Sequence, residues 1–367
     1  MNSYLAYKSK RAYVFQDYVW KKEYYPWSKF KYRSWSPRTP LNALISGPTA
    51  GGPWADGDSA PRSVSEDYFD IVCPKNERRI INTRDVKPSI MWESGKKIFS
   101  TWETLLLEAP ERCIEIQPAK RSVDNFPQVF DLFLWGSDRI LDMWEEFRDS
   151  PVSQLLDASP IVNAAIARND YLFVSRNGVG AAGKRDPYER MMAIHIRRGD
   201  FKEACSSLAN WNSTFYSWNL LPFLPDKFTP PLGGSWGKNT DENIAIYMDR
   251  CLPHFSAIVQ KIRDSRDDYI NAAEEGEGRR VLDTLYILTN EDSEWLHQLK
   301  TALRPEGWKL IVTSPDLILD SEGVDTGMAV DMEVARRAAV FIGNGVSPTS
   351  HHHHADSNKS CLVVFIY

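Results

Sequence analysis

In the second half of the chain, short apolar runs alternate with longer segments whose apolar residues recur at helical spacing. Met191-Met-Ala-Ile-His-Ile196, Thr284-Leu-Tyr-Ile-Leu288, Lys309-Leu-Ile-Val312 and Ala339-Val-Phe-Ile342 have the length of strands. Residues 241–263, 293–303 and 327–338 read as helices. The first of these turns Ile244, Tyr247, Cys251, Phe255, Ile258 and Ile262 inward and is broken or kinked at Pro253. Strands alternating with helices predict a parallel sheet with crossover connections.

The first half is less regular. Residues 3–9 read as the end of a helix and Arg11–Asp17 as a buried strand. A helix and a strand with no strand before them make half of a βαβ unit, so the chain looks cut at its start. Residues 21–66 are rich in Trp, Pro and Gly. A loop of that length is functional or disordered, and disordered chains are poor in aromatics, so the stretch predicts an ordered loop lining a cleft. Residues 126–148 carry helical spacing, Pro160 opens a helix over 160–169, and 171–175 form a short strand. The polar, glycine-rich run Arg176–Arg185 reads as a linker. The expected organisation is a first domain over 1–185, a second over 186–350 and an irregular tail over 351–367.

Composition narrows the partners more than the chemistry. Net charge is −5, which gives no reason to invoke nucleic acid or an anionic membrane. Thirteen Trp and fifteen Tyr serve core packing and loop anchoring, or a platform for a sugar or base. No run approaches the roughly 18 apolar residues needed to cross a bilayer, and the opening residues are not those of a signal peptide. The five cysteines form no Cys-x-x-Cys pair, which argues against zinc and leaves free thiols or one or two disulfides. Asn212-Ser-Thr214 is a glycosylation sequon that matters only in the secretory pathway. The His351–His354 run reads as an unstructured tract rather than a metal site.

Ligands of parallel α/β sheets bind beyond the carboxyl ends of the strands. The 191–196 strand delivers His195, Arg197, Arg198 and Asp200 there, and Gly199 lets a ligand approach the backbone. His195 and Arg197 share one side while the strand lasts. A guanidinium fork suits a diphosphate, although an Arg–Asp pair closing a turn would use the same residues. Thr289 and Asn290 follow the second strand. There, Asn290 or Asp292 capping the helix of Trp295 competes with direct ligand contact, and the two roles can coexist because a helix N-terminus favours anions. Phe341-Ile-Gly-Asn-Gly-Val-Ser347 offers a phosphate cradle or an ordinary glycine turn.

Together these stretches resemble the GDP-fucose protein O-fucosyltransferase family. His195-Ile-Arg-Arg-Gly-Asp200 is similar to its His-x-Arg-x-Gly-Asp motif, and Asp331 stands ten positions before Phe341-Ile-Gly-Asn344, as in its final motif. The Arg11–Trp20 segment and the Pro40–Trp54 loop look like a fungal branch, and the resemblance runs from about residue 2 to Gly345. It implies an α/β GT-B architecture, with two Rossmann-like domains facing a cleft and an incomplete N-terminal, acceptor-side domain. It implies transfer of fucose from GDP-fucose to a protein or glycan hydroxyl with inversion, with no obligatory metal and no other cofactor. Arg197 would neutralise charge on the leaving diphosphate, a transition-state effect. His195 would orient the motif or touch the nucleotide, Asp331 would contact the guanine, and Ser347 a phosphate oxygen. Gly199, Asp200 and Asn344 complete the implied donor site.

No base is implied. Asp17 and Asp200 qualify only if they lie within hydrogen-bond reach of the acceptor hydroxyl. The family's first strand and Gly-x-x-Asn-Gln-type loop have no counterpart here, and Ser347-Pro-Thr349 stands where the pattern reads Ser-Ser-Phe. These departures suggest truncation at the start and divergence at the end. They also favour a second reading, a non-catalytic descendant that binds a nucleotide sugar or a glycan. A third, an unrelated nucleotide-binding α/β enzyme, is weakened because no Gly-x-Gly-x-x-Gly or P-loop follows a strand. The family's home is the secretory pathway, although this chain carries no membrane anchor. Disulfides such as Cys73–Cys113 and Cys205–Cys251 would agree with it, while connectivity stays open.

Overall fold

The apolar runs of the second half become neighbours in one five-stranded sheet. The computed structural model describes residues 1–22, 36–174, 186–198, 201–272, 280–291, 293–321, 323–344 and 362–366, the last of these by backbone alone. The strands are β1 (Met191–Ile196), β2 (Thr284–Thr289), β3 (Leu310–Thr313), β4 (Val340–Asn344) and β5 (Leu362–Ile366). Every pairing is parallel and the order is β3-β2-β1-β4-β5. The chain steps outward in one direction from β1 to β3 and then returns to the other side of β1. The order therefore reverses between β1 and β4, which is a topological switch point.

Both faces of the sheet are covered. On one, Met192, Ile194 and Ile196 of β1, Leu285 and Ile287 of β2, and Val340 and Ile342 of β4 form one cluster with residues of two helices. These are Ile258 and Ile262 of the Phe255–Asn271 helix, and Leu296, Leu299 and Leu303 of the Glu294–Leu303 helix. On the other face, Tyr286 packs edge-on to Phe173 at 5.8 Å and its hydroxyl bonds to Asp331 of the Gly327–Arg337 helix. Burying each such side chain stabilises the fold by roughly 1.5–3 kcal/mol. The α/β class expected from the alternation is the class the chain adopts.

Local chemistry sets the helix ends. Ser293 caps the Glu294–Leu303 helix by accepting a hydrogen bond from the Trp295 amide at 3.2 Å. This corrects the expectation of an Asn290 cap, because Asn290 is engaged elsewhere. Asp292 lies outside the described residues. Pro253 falls between the Asp241–Cys251 and Phe255–Asn271 helices, so the expected break is complete. Cys205 and Cys251 form a disulfide between the Phe201–Asn210 and Asp241–Cys251 helices, and Cys73 pairs with Cys113.

By contact, the chain divides into two units, Met1–Asn163 with Ser321–Ala329, and Ala164–Asp320 with Val330–Tyr367. The Arg176–Arg185 run, where a linker was expected, lies outside the described residues. The first unit opens with the Asn2–Lys8 helix and holds its strands in pairs. Val14–Phe15 runs parallel to Val64–Ser65, and Arg79–Asn82 parallel to Ile114–Gln117.

Three expected elements differ from the observed ones. The strand expected over Arg11–Asp17 is only Val14–Phe15, because Arg11 turns aside to close the end of the Gly95–Glu108 helix. Its guanidinium donates to the carbonyls of Leu106 (2.9 Å), Ala109 (2.7 Å) and Glu111 (2.9 Å). The single helix expected over 126–148 is broken into Leu132–Trp135, Asp138–Met143 and Trp144–Arg148, with Gly136 and Ser137 interrupting the first two. Residues 170–172 form a 3-10 turn instead of a strand. The turn follows Asn169, whose amide donates to the Ile318 carbonyl at 2.9 Å and accepts from the Ile318 amide at 2.8 Å. The tail is not wholly irregular, since Leu362–Ile366 adds a strand beside β4. Its unbroken apolar, β-branched sequence suits that place.

Gly47 has φ 93°, and a Cβ there would stand 2.1 Å from the Leu155 carbonyl oxygen. Gly57 has φ 87° with nothing within 4 Å of a Cβ. Gly47→Ala is therefore expected to lose more than about 2 kcal/mol in equilibrium denaturation, against about 1 kcal/mol for Gly57→Ala. Equal losses would refute the steric account.

Candidate functional site

The carboxyl edge of the sheet gathers polar side chains that the strand interiors exclude. Two consecutive arginines leave β1 and take different surroundings. Arg198 lies with its guanidinium 4.6 Å from the centre of the Trp295 ring and donates to the Pro253 carbonyl at 3.3 Å. Its backbone is fixed by Asn290, whose side-chain oxygen accepts from the Arg198 amide (3.2 Å) and whose nitrogen donates to the Arg198 carbonyl (3.4 Å). The Asn290 side chain thus continues the β1–β2 ladder one step past its end. Arg197 stands half-buried with its guanidinium 5.5 Å from the Phe201 ring centre. The ring's face favours a cation there.

Thr289 is buried, and its hydroxyl accepts from the Glu291 amide at 3.0 Å. Asn344, at the end of β4, donates to the Cys251 carbonyl at 3.3 Å. Both residues hold the edge in shape. Gly199, Asp200 and Ser347 lie outside the described residues, as does the histidine run.

Asp331 sits within a hydrogen-bonded cluster that the sequence did not reveal. It accepts from the Tyr286 hydroxyl on one oxygen and from the Ser314 hydroxyl on the other at 2.8 Å. Ser314, just past β3, in turn accepts from the Thr289 amide at 3.0 Å. Burial raises the Asp331 carboxyl to about 6, a rise that the hydrogen bonds from Tyr286 and Ser314 oppose. The only available signals were a phenol inside an apolar strand and a Ser-Pro-Asp turn after the next.

His195 shares the face of β1 opposite the Ile194 cluster. Its Nδ1 is buried with no hydrogen-bond partner among the described residues. Burial, then the charge of Arg197, lowers its imidazole to about 4. It is therefore neutral near pH 7, so Arg197 is the cation of the pair. An arginine at a topological switch point is equipped to bind an anion. No cluster of side chains among the described residues is arranged to hold a metal ion.

Asp17 belongs to the first unit. It lines a pocket of about 390 Å³ together with Phe15, Asn42, Gly51, Ser63 and Tyr68. Of the loop expected over 21–66, residues 36–66 supply several of these walls, while 23–35, which hold most of its aromatics, lie outside the described residues.

No known family model matches the chain, and no curated protein does. Among solved structures, POFUT1 in complex with GDP is similar to it at 13% identity and a TM-score of 0.49, covering 99% of this chain and 91% of that one. POFUT1 in complex with GDP-fucose gives 14% identity and a TM-score of 0.48 over the same shares. A likeness this distant assigns no role to any residue.

The folded His195 takes up its proton near pH 4, whereas the unfolded residue does so near 6.5, so its neutral form contributes stability that is lost as pH falls through this window. NMR titration of the imidazole should show a midpoint near 4, and Arg197→Ala should raise it part of the way. A wild-type midpoint close to 6.5 would contradict the burial.

Proposed function

We propose that the chain is a GT-B glycosyltransferase that uses a GDP-sugar, GDP-fucose above all, and transfers the sugar to a hydroxyl acceptor. The observation that carries this reading is Arg197 at the carboxyl end of β1, beside the switch point, within the stretch similar to His-x-Arg-x-Gly-Asp. Its guanidinium would neutralise the diphosphate as the glycosidic bond breaks, where transition-state charge builds most. His195, being neutral, would act through a hydrogen bond and leave Arg197 the nearby positive charge.

Asp331 would accept from the guanine edge. Tyr286 and Ser314 would hold its carboxylate in place, because each oxygen retains a second lone pair. Inversion at the anomeric carbon needs no covalent enzyme intermediate, and no metal is called for in this scheme. The two disulfides suit an oxidising compartment, and we place the chain in the secretory pathway on that ground. None of its described helices is long and apolar enough to cross a membrane.

Binding without turnover is the second reading. It is favoured by Ser347-Pro-Thr349, which departs from the Ser-Ser-Phe pattern of the family that the chain resembles. Calorimetry with GDP should show binding that Arg197→Ala weakens by at least about tenfold, the loss of a charge-assisted contact. GDP-fucose hydrolysis or transfer would then separate catalysis from binding. Absence of GDP binding by the wild-type chain would refute both readings.

A further inference from the structure

The first unit contains a pocket for which the donor reading has no use. It lies at the carboxyl ends of the parallel Val14–Phe15 and Val64–Ser65 strands, where Asp17 and Tyr68 follow shortly after. At about 390 Å³ it falls within the size range of small-molecule sites, roughly 300–1,000 Å³. Its lining combines two kinds of surface. Phe15 and the half-exposed Tyr68 supply aromatic carbon, while Asp17, Asn42 and Ser63 supply polar groups.

Those polar groups are uncommitted. The side chains of Asp17, Asn42 and Ser63 make no hydrogen bond among the described residues, and Asp17 no ion pair. Ser63 is only 6% exposed. Asp17 is half-buried, Asn42 exposed and Ser63 buried, so the three bring unpaired polar groups to one concave site where the hydroxyls of a ligand can replace water. Gly51 leaves the room. It has φ 86°, and a Cβ there would press against the Ser63 carbonyl at 3.2 Å and the Phe15 ring at 3.5 Å.

The chemistry of the lining selects the ligand. No lysine or arginine lines the pocket, and Asp17 is a carboxylate, so a phosphate or any other anion is disfavoured. A ligand must instead donate hydrogen bonds to Asp17, exchange them with Asn42 and Ser63, and lay C–H surface on Phe15 and Tyr68. We propose that this pocket is a binding site for a neutral carbohydrate, with Asp17 accepting from a pair of sugar hydroxyls and Tyr68 forming the wall on which the ring stacks.

The test uses the full chain without any nucleotide, so its outcome is independent of the GDP experiment. Saturation-transfer NMR and calorimetry are run with lactose, cellobiose, maltose and chitobiose, and with glucosamine as a cationic probe. At least one disaccharide should bind. Asp17→Asn and, separately, Tyr68→Ala should each weaken it by about tenfold, with unchanged GDP binding and thermal melting. Asn42→Ala, at an exposed position, provides a third variant should either of these fail to fold. The proposal is overturned if none of the disaccharides binds, if binding survives all the folded variants unchanged, or if only glucosamine binds.

Discussion

Burial of β1, β2 and β4 on both faces is the constraint from which the second unit follows. A strand covered on both sides carries apolar residues at every position, and any polar side chain within it must find a partner. Tyr286 meets that demand through Asp331, which is held by Ser314, which in turn accepts from the backbone of β2. One buried phenol thus fixes the register of a helix over the sheet and of the turn after β3. His195 is the exception among the described residues, with a ring nitrogen that none of them pairs beside Arg197. Groups that can meet solvent or a ligand are displaced to the carboxyl edge.

At that edge, shape is held by side chains acting as backbone. Asn290 supplies one further rung between β1 and β2, and Asn344 ties the end of β4 to the end of a helix. Neighbouring arginines are thereby given separate tasks. Arg198 is absorbed into packing against Trp295 and Pro253, while Arg197 is presented beside the switch point.

The alternation of apolar runs made the second unit legible. Its first four strands, the helices between them and the break at Pro253 all follow from patterns that extend over only a few residues. The first unit was less legible because its elements depend on distant partners. Arg11 ends a helix roughly a hundred positions away, and no local signal at Arg11 records that. The 126–148 segment has good helical spacing, yet Gly136 and Ser137 sit where the path must change direction. In the candidate site, the sequence brought forward Arg197, His195 and Asp331. It could not tell Asn290 as a cap from Asn290 as a rung, or foresee that Arg198 packs on Trp295, since those distinctions are made by Ser293, Trp295 and Pro253. Tyr286 was hidden because a phenol in an apolar strand reads as core.

The two disulfides have a practical meaning. Each closes a long loop within a single unit, Cys73–Cys113 over 40 positions and Cys205–Cys251 over 46. In the chain-entropy picture, a link of that span removes about 4 kcal/mol of freedom from the unfolded chain. Whole domains are commonly stable by only about 5–15 kcal/mol. Chain made in a reducing cytoplasm would therefore lack a large part of the stability of each unit, and its failure to bind a ligand would reflect the host's redox state as much as the protein's own chemistry.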